Sequence, residues 1–324
     1  MLRFALLLGL LGLAAATAII VGSGYHEVVA ALAVAGWGIL WSCLAHLFPM
    51  TFSVVGWRAL MPGKKRPSLP FFLYLLWIRA AINNLMPVAR IGGEIVAVRL
   101  MIKHRIRKFA AVSAIVAEIT MSVIAVFLFD VIGIGMFAFH VGARDIVLQL
   151  ALGLAISVPA IAALVFVQRL GFFGLASRLF TVLFRDKWKN FAGDSARLDR
   201  AVHALYRRRR KVLTCFFWQF ASWCAGAIEI WLPLQFLHHP LPFAESFMLE
   251  ALIQATASAA FAVPAALGVQ EAGFLLFGHM LGLPADIAAA LAVIRRCRDL
   301  LLYAPGLVAW QVQEGRWLLA RRRT

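Results

Sequence analysis

The stretch Asn83-Asn-Leu-Met-Pro87-Val-Ala-Arg90-Ile-Gly92-Gly93-Glu94 breaks an otherwise apolar segment, residues 68–103, with one proline and two adjacent glycines. Proline removes a helical hydrogen bond and glycine loosens the backbone, so a helix entering this segment stops near Pro87 and a new one starts after Gly93. Basic blocks flank the segment, Lys64–Arg66 before it and Lys103–Lys108 at its end. The positive-inside rule sets both blocks on the cytoplasmic side. The chain must therefore enter the bilayer and come back. At 1.5 Å per residue the segment reaches only about 54 Å even if wholly helical, whereas two crossings need about 60 Å. The expectation is a re-entrant hairpin.

Working outward, residues 243–282 repeat the pattern. Pro264-Ala-Ala-Leu-Gly268-Val-Gln-Glu271 again places Glu seven residues after Pro with Gly between. Twenty-four residues beyond each Glu stands another charge, Glu118 after Glu94 and Arg295 after Glu271. The matched spacing suggests a duplicated unit, a broken hairpin followed by a crossing helix, over about 68–139 and about 243–312. The charge pattern opens the second hairpin from the opposite face, so the copies are expected to be inverted. Carriers that alternate access bind substrate near the midplane between such broken helices.

Composition fixes the solvent. Of 324 residues 63% are hydrophobic and 15% charged, and the mean hydropathy is +0.86; soluble domains are only about half apolar. Full spans are expected at about 3–22, 28–48, 109–139, 146–168, 211–237 and 286–312. The fold class is thus all-α, a polytopic transmembrane helix bundle, with 1–324 as a single integral membrane domain. Residues 1–18 also fit a cleavable signal peptide, although the apolar run continues through Val21 and favours an uncleaved first span. The net charge of +17 comes from basic blocks at span ends, including Arg316–Arg323, which argues against nucleic acid and for a cytoplasmic C-terminus. The basic loop at about 169–211 contains an amphipathic stretch, Ser195–Arg210, ending in four arginines. It is expected to lie on anionic phospholipid headgroups, with docking of a protein partner as the alternative.

Charges at membrane depth cost roughly 2.5–3.5 kcal/mol each on insertion scales unless they face a cavity or a partner. Arg79, Arg90 and Glu94 belong to the first hairpin; Glu118 and Glu229 stand in spans; Glu271 follows the second break; Arg295, Arg296, Arg298 and Asp299 fall in the last span. Arg295, Arg298 and Asp299 share a helix face. Asp299 offsets one arginine, Glu118, Glu229 and Glu271 are available to others, and a surplus cation suits a phosphate headgroup. New helix starts after Gly93 and Gly268 also favour an anion, and Asn83 and Asn84 offer neutral hydrogen bonds. These residues form the expected substrate site, with Pro87, Gly92, Gly93, Pro264 and Gly268 as the breaks. Internal salt bridges that only hold the bundle together are the competing explanation.

The segment Asn83–Glu94, the basic turn before Ala110, the span carrying Glu118 and Pro264–Glu271 resemble the flippase-like membrane domain of lysylphosphatidylglycerol synthases. The likeness covers nearly the whole chain and is closest to the hopanoid-biosynthesis-associated branch. It implies a bacterial inner-membrane protein that moves a polar lipid, anionic or hopanoid-related, between leaflets. It does not imply synthesis, because bifunctional relatives carry a soluble aminoacyl-transfer domain after the membrane part, whereas this sequence ends at Thr324 after its last span.

An enzyme is the alternative class. The eight histidines, His26, His46, His104, His140, His203, His238, His239 and His279, are scattered, with no His-x-x-x-His pair, aspartate-rich motif or phosphate loop. No cofactor or metal is expected. Cys43, Cys215, Cys224 and Cys297 have no metal-ligand spacing and read as packing residues. A lipid-modifying enzyme would convert a candidate lipid without a partner. A scaffold for lipid-biosynthesis enzymes would lose function when Arg207–Arg210 are exchanged.

Overall fold

The computed structural model describes residues 33, 36–62, 67–86, 92–142, 144–169, 189–260, 263, 266 and 268–322. Pro87, Arg90, Pro264 and the first expected span, 3–22, lie outside them. The described residues are helical throughout and contain no strand. In chain order the helices are α1 (Gly38–Ala45), α2 (Leu47–Ala59), α3 (Leu69–Leu85), α4 (Gly92–Lys103), α5 (Lys108–Val141), α6 (Arg144–Arg169), α7 (Lys189–Tyr206), α8 (Arg209–Gly226), α9 (Ile228–Phe236), α10 (Phe243–Ala259), α11 (Val269–Met280) and α12 (Ala285–Arg322). The outside of the bundle is apolar: Phe139, Phe217, Leu148, Leu300 and Val308 are all exposed. Hydrocarbon rather than water suits such a surface, as expected of a membrane protein.

The span expected at 28–48 is displaced. Helix continues to Ala59, kinked only at His46 between α1 and α2. Pro49 does not end it, because the third position of a new helix has no intrahelical partner for the lost N–H. The span expected at 211–237 is likewise two helices, α8 and α9, joined at Ala227. α1 packs on α9 and α2 on α8, so the two kinked helices run antiparallel.

The two broken segments agree element by element. Their first arms, α3 and α10, have 17 residues each and their second arms, α4 and α11, have 12. A four-residue turn follows each second arm and leads into the long helices α5, of 34 residues, and α12, of 38. Both turns close alike. Ile106 N–H bonds the Met101 carbonyl at 3.1 Å, and Leu283 N–H bonds that of Gly278 at 2.8 Å. Arg105 and Gly282 hold the left-handed position, with φ of 61° and 83°, which is the Schellman way of ending a helix. A kinked helix precedes each broken segment, so the order kinked helix, two short arms, long helix occurs twice.

Packing crosses between the units. α3 lies on α12, the long helix of the second unit, and α10 lies on α5, the long helix of the first. One apolar core gathers around the first pair of arms, with Trp57, Phe72, Ile78 and Met101 fully buried. The other gathers around the second pair, with Leu249, Leu252, Phe274 and Phe277. Glycines allow the crossings: a Cβ at Gly133 would collide with the Ala251 side chain, and one at Gly306 would sit 3.1 Å from that of Ala81. Gly133→Val is therefore expected to cost about 1–3 kcal/mol through overpacking. Thermal unfolding of the purified protein in detergent would show it, and Gly135→Val, where a Cβ meets nothing, serves as the matched control.

α7 spends its apolar side on protein. Val202 and Leu205 are buried, and the helix packs on α5. Its basic end, Arg207 to Arg210, is exposed.

Candidate functional site

Three groups of buried charge lie along these helices. In the first, Arg79 of α3 joins two carboxylates. Its Nη1 donates to Glu118 at 2.7 Å, and its Nε lies 3.2 Å from Glu94. Gln219 of α8 also donates to Glu118, at 3.0 Å, and Trp57 offers its ring face to the guanidinium at 5.3 Å. Asn83, near the end of α3, ties the two sides of the break together, accepting from Gly93 N–H at 2.9 Å and donating to Glu94 at 3.0 Å at the start of α4. Gly93 has to be glycine, since a Cβ there would strike the Arg79 carbonyl and the Asn83 side chain. Asn84 instead turns to its own helix, donating to the Ala80 carbonyl.

The second group mirrors the first with charges exchanged. Arg295 of α12 donates twice to Glu250 of α10, at 2.7 and 2.8 Å. Glu118 pairs back to its first arm, and Arg295 does the same from the equivalent spacing, so acid and base have swapped helices. Glu271 occupies the third position of α11, as Glu94 does in α4. It caps its own helix by accepting from Gly268 N–H at 2.8 Å and takes Arg296 Nε at 2.7 Å. Gly268 reaches this cap with φ of 79°, the left-handed region that suits glycine.

In the third group, Arg298 binds Glu229 of α9 and the adjacent Asp299. His46, at the kink between α1 and α2, bridges Glu229 and Tyr303, with both contacts at 2.8 Å. The kink of the other broken helix, Ala227, is two residues from Glu229, so both kinks meet α12 here.

The sequence-predicted residues are thus brought together in part. Arg79, Asn83, Glu94 and Glu118 converge, as do Glu271 with Arg296 and Glu229 with Arg298 and Asp299. Glu118 pairs with Arg79 and not with α12. Outside these groups, Arg99 of α4 pairs with Glu314 near the end of α12. Beside the helix starts expected to favour an anion, the Gly93 and Gly268 N–H groups have acceptors from the chain. Glu250, His46, Tyr303 and Gln219 were not foreseen. Glu250 carries a visible signal, the one charge in the interior of the apolar run 243–259, whose other acid, Glu245, stands in its first turn; the others carry no signal of their own.

Adding Glu250 changes the charge balance. Among the described residues, six carboxylates (Glu94, Glu118, Glu229, Glu250, Glu271, Asp299) face four guanidiniums (Arg79, Arg295, Arg296, Arg298). The excess is acidic. A phosphate entering here has to displace a carboxylate from its arginine, and the displaced acid then needs a proton or another donor.

No curated protein and no solved structure matches this chain. A family model does, over residues 2–306, and it is described as the lysylphosphatidylglycerol synthase TM region. With its model covering nearly every residue of the bundle and all three charge groups, the chain belongs to the lysylphosphatidylglycerol synthase transmembrane-region family.

Proposed function

We propose that the protein is a lipid carrier of the flippase kind, moving or presenting a polar lipid between the leaflets of the bacterial inner membrane. The observation that carries this reading is the doubled unit. Each copy has two arms too short to cross, an acid at the third position of the second arm held by arginine, and a pair of opposite charges bridging first arm to long helix. Arms of 17 and 12 residues extend only about 26 and 18 Å, short of a roughly 30 Å hydrocarbon core. They turn back inside the membrane as re-entrant hairpins. The antiparallel pairing of the kinked helices and the crossed packing of arms on long helices support an inverted arrangement of the copies.

In this reading the headgroup enters between the hairpins and exchanges with a carboxylate for arginine, which supplies a planar double donor for phosphate. The exchange lets the site open to either face without stranding a charge in lipid. An anionic or hopanoid-related polar lipid is the proposed cargo. Exposed Arg207–Arg210 lie against anionic headgroups on the cytoplasmic side, where the C-terminus also lies, and lipid-biosynthesis enzymes are candidate partners there.

The test is lipid movement in proteoliposomes, followed with fluorescent phosphatidylglycerol and dithionite quenching of the outer leaflet. Glu94→Gln, Glu271→Gln and Arg295→Gln should each insert normally and lose most of the wild-type rate. Full activity in all three separately would overturn the proposal.

A further inference from the structure

Asp130 belongs to none of the three groups. It stands in α5 three turns beyond Glu118 and eleven residues before the helix ends, deep in a span. Its side chain is 4% exposed, and Oδ1 has no hydrogen-bond partner. Phe129 beside it packs on Phe247 at 4.7 Å and on Trp223 at 6.4 Å, so aromatic rings wall this part of the helix.

The charges around it are unfavourable to a second anion. One turn further along α5, Gly133 touches Ala251, and this sets the neighbouring Glu250 of α10 on the same seam. Glu250 has its own partner, Arg295, committed to it by two bonds. Other titratable groups on the packed helices are engaged or distant. Glu245 of α10 faces His140, Glu94 of α4 faces Arg79, and Arg58 of α2 donates to the Pro67 carbonyl. On α7, Asp199 is half-buried and His203 exposed, and α8 carries the free thiols Cys215 and Cys224 with Arg209, Arg210 and Lys211 at its start. α6 carries its charges at its ends, Arg144, Asp145 and Arg169.

A carboxylate in this place would be buried without a donor beside a second anion, which costs several kcal/mol, whereas the neutral acid costs only one unmade hydrogen bond. We propose that Asp130 is a proton-binding site, occupied in this state of the protein, and that the proton is the ion coupled to opening of the α5–α10 seam. When the seam admits water, Asp130 gains the hydration it needs to ionise and gives up its proton, and Glu250, once a headgroup has drawn Arg295 from it, is the neighbouring carboxylate that takes the proton. The acidic excess of the neighbouring groups has the same requirement, since a carboxylate displaced from arginine is neutralised by a proton supplied nearby.

Infrared spectroscopy of the full chain in liposomes tests the site. The wild type should show, at neutral pH, the carbonyl band of a protonated carboxylic acid that shifts in deuterated water. Asp130→Asn should remove that band, and Asp130→Glu should keep it at a shifted frequency. Identical spectra for wild type and Asp130→Asn would overturn the site. The coupling rests on the carrier reading and has its own measurement. A pH gradient across the proteoliposomes should change the rate of phosphatidylglycerol movement several-fold in the wild type and leave Asp130→Asn unaffected. Equal sensitivity in both would overturn the coupling, while the infrared band decides the site independently of any lipid movement.

Discussion

Arg298→Leu is expected to destabilise the protein by about 3–5 kcal/mol, the cost of leaving buried carboxylates without their cation. Arg298 is 5% exposed and serves Glu229 and Asp299 together. Glu229 retains only His46, whose other nitrogen is held by Tyr303. Removing the guanidinium therefore unfastens a point where both kinked helices meet α12. Thermal unfolding in detergent, monitored by loss of monodisperse protein, should show a lowered midpoint. The double variant Arg298→Leu with Glu229→Gln should recover part of it, because the stranded charge is then gone. A midpoint equal to wild type for Arg298→Leu would mean that the contact contributes nothing.

The second large effect separates holding the fold from moving a headgroup. Glu250→Gln strands Arg295, and Arg295→Gln strands Glu250; each is expected to cost about 3–5 kcal/mol. The pair Glu250→Gln with Arg295→Gln removes both charges, and the coupling energy between the two sites should fall at about 1–3 kcal/mol. Stability should therefore return toward wild type in the double variant. Lipid movement should not, because the arginine that would take the phosphate is absent. A double variant that transports at the wild-type rate would assign the pair to structure alone.

Much of the architecture was legible because a membrane punishes exceptions. Apolar length marked the spans around α5 and α6, and a proline with glycines marked each broken segment. The acid seven residues after each proline led to the third position of α4 and of α11. What could not be read were facts of packing. The kinks were missed although Gly226 precedes Ala227 and Pro49 stands three residues after His46, because each sits inside a continuous apolar run. Glu118 was read as one of three acids available to the arginines of the last span; Arg79 reaches it across the hairpin. The acidic share among the described residues went unread for a related reason, since the role of Glu250 appears only when α10 is set against α12. His46 and Tyr303 are 257 residues apart, and no periodicity connects them.

The central claim is that two short-armed hairpins enclose a wet, ionic chamber within the bilayer. With Cys43, Cys215, Cys224 and Cys297 replaced by serine or alanine, single cysteines at Asn84 and Val263, beside the two breaks, can be exposed to a membrane-impermeant thiol reagent from each side in turn. Labelling of both positions, each from at least one aqueous face, with protection by added phosphatidylglycerol, is the predicted result. Two positions that stay unlabelled from both faces would contradict it.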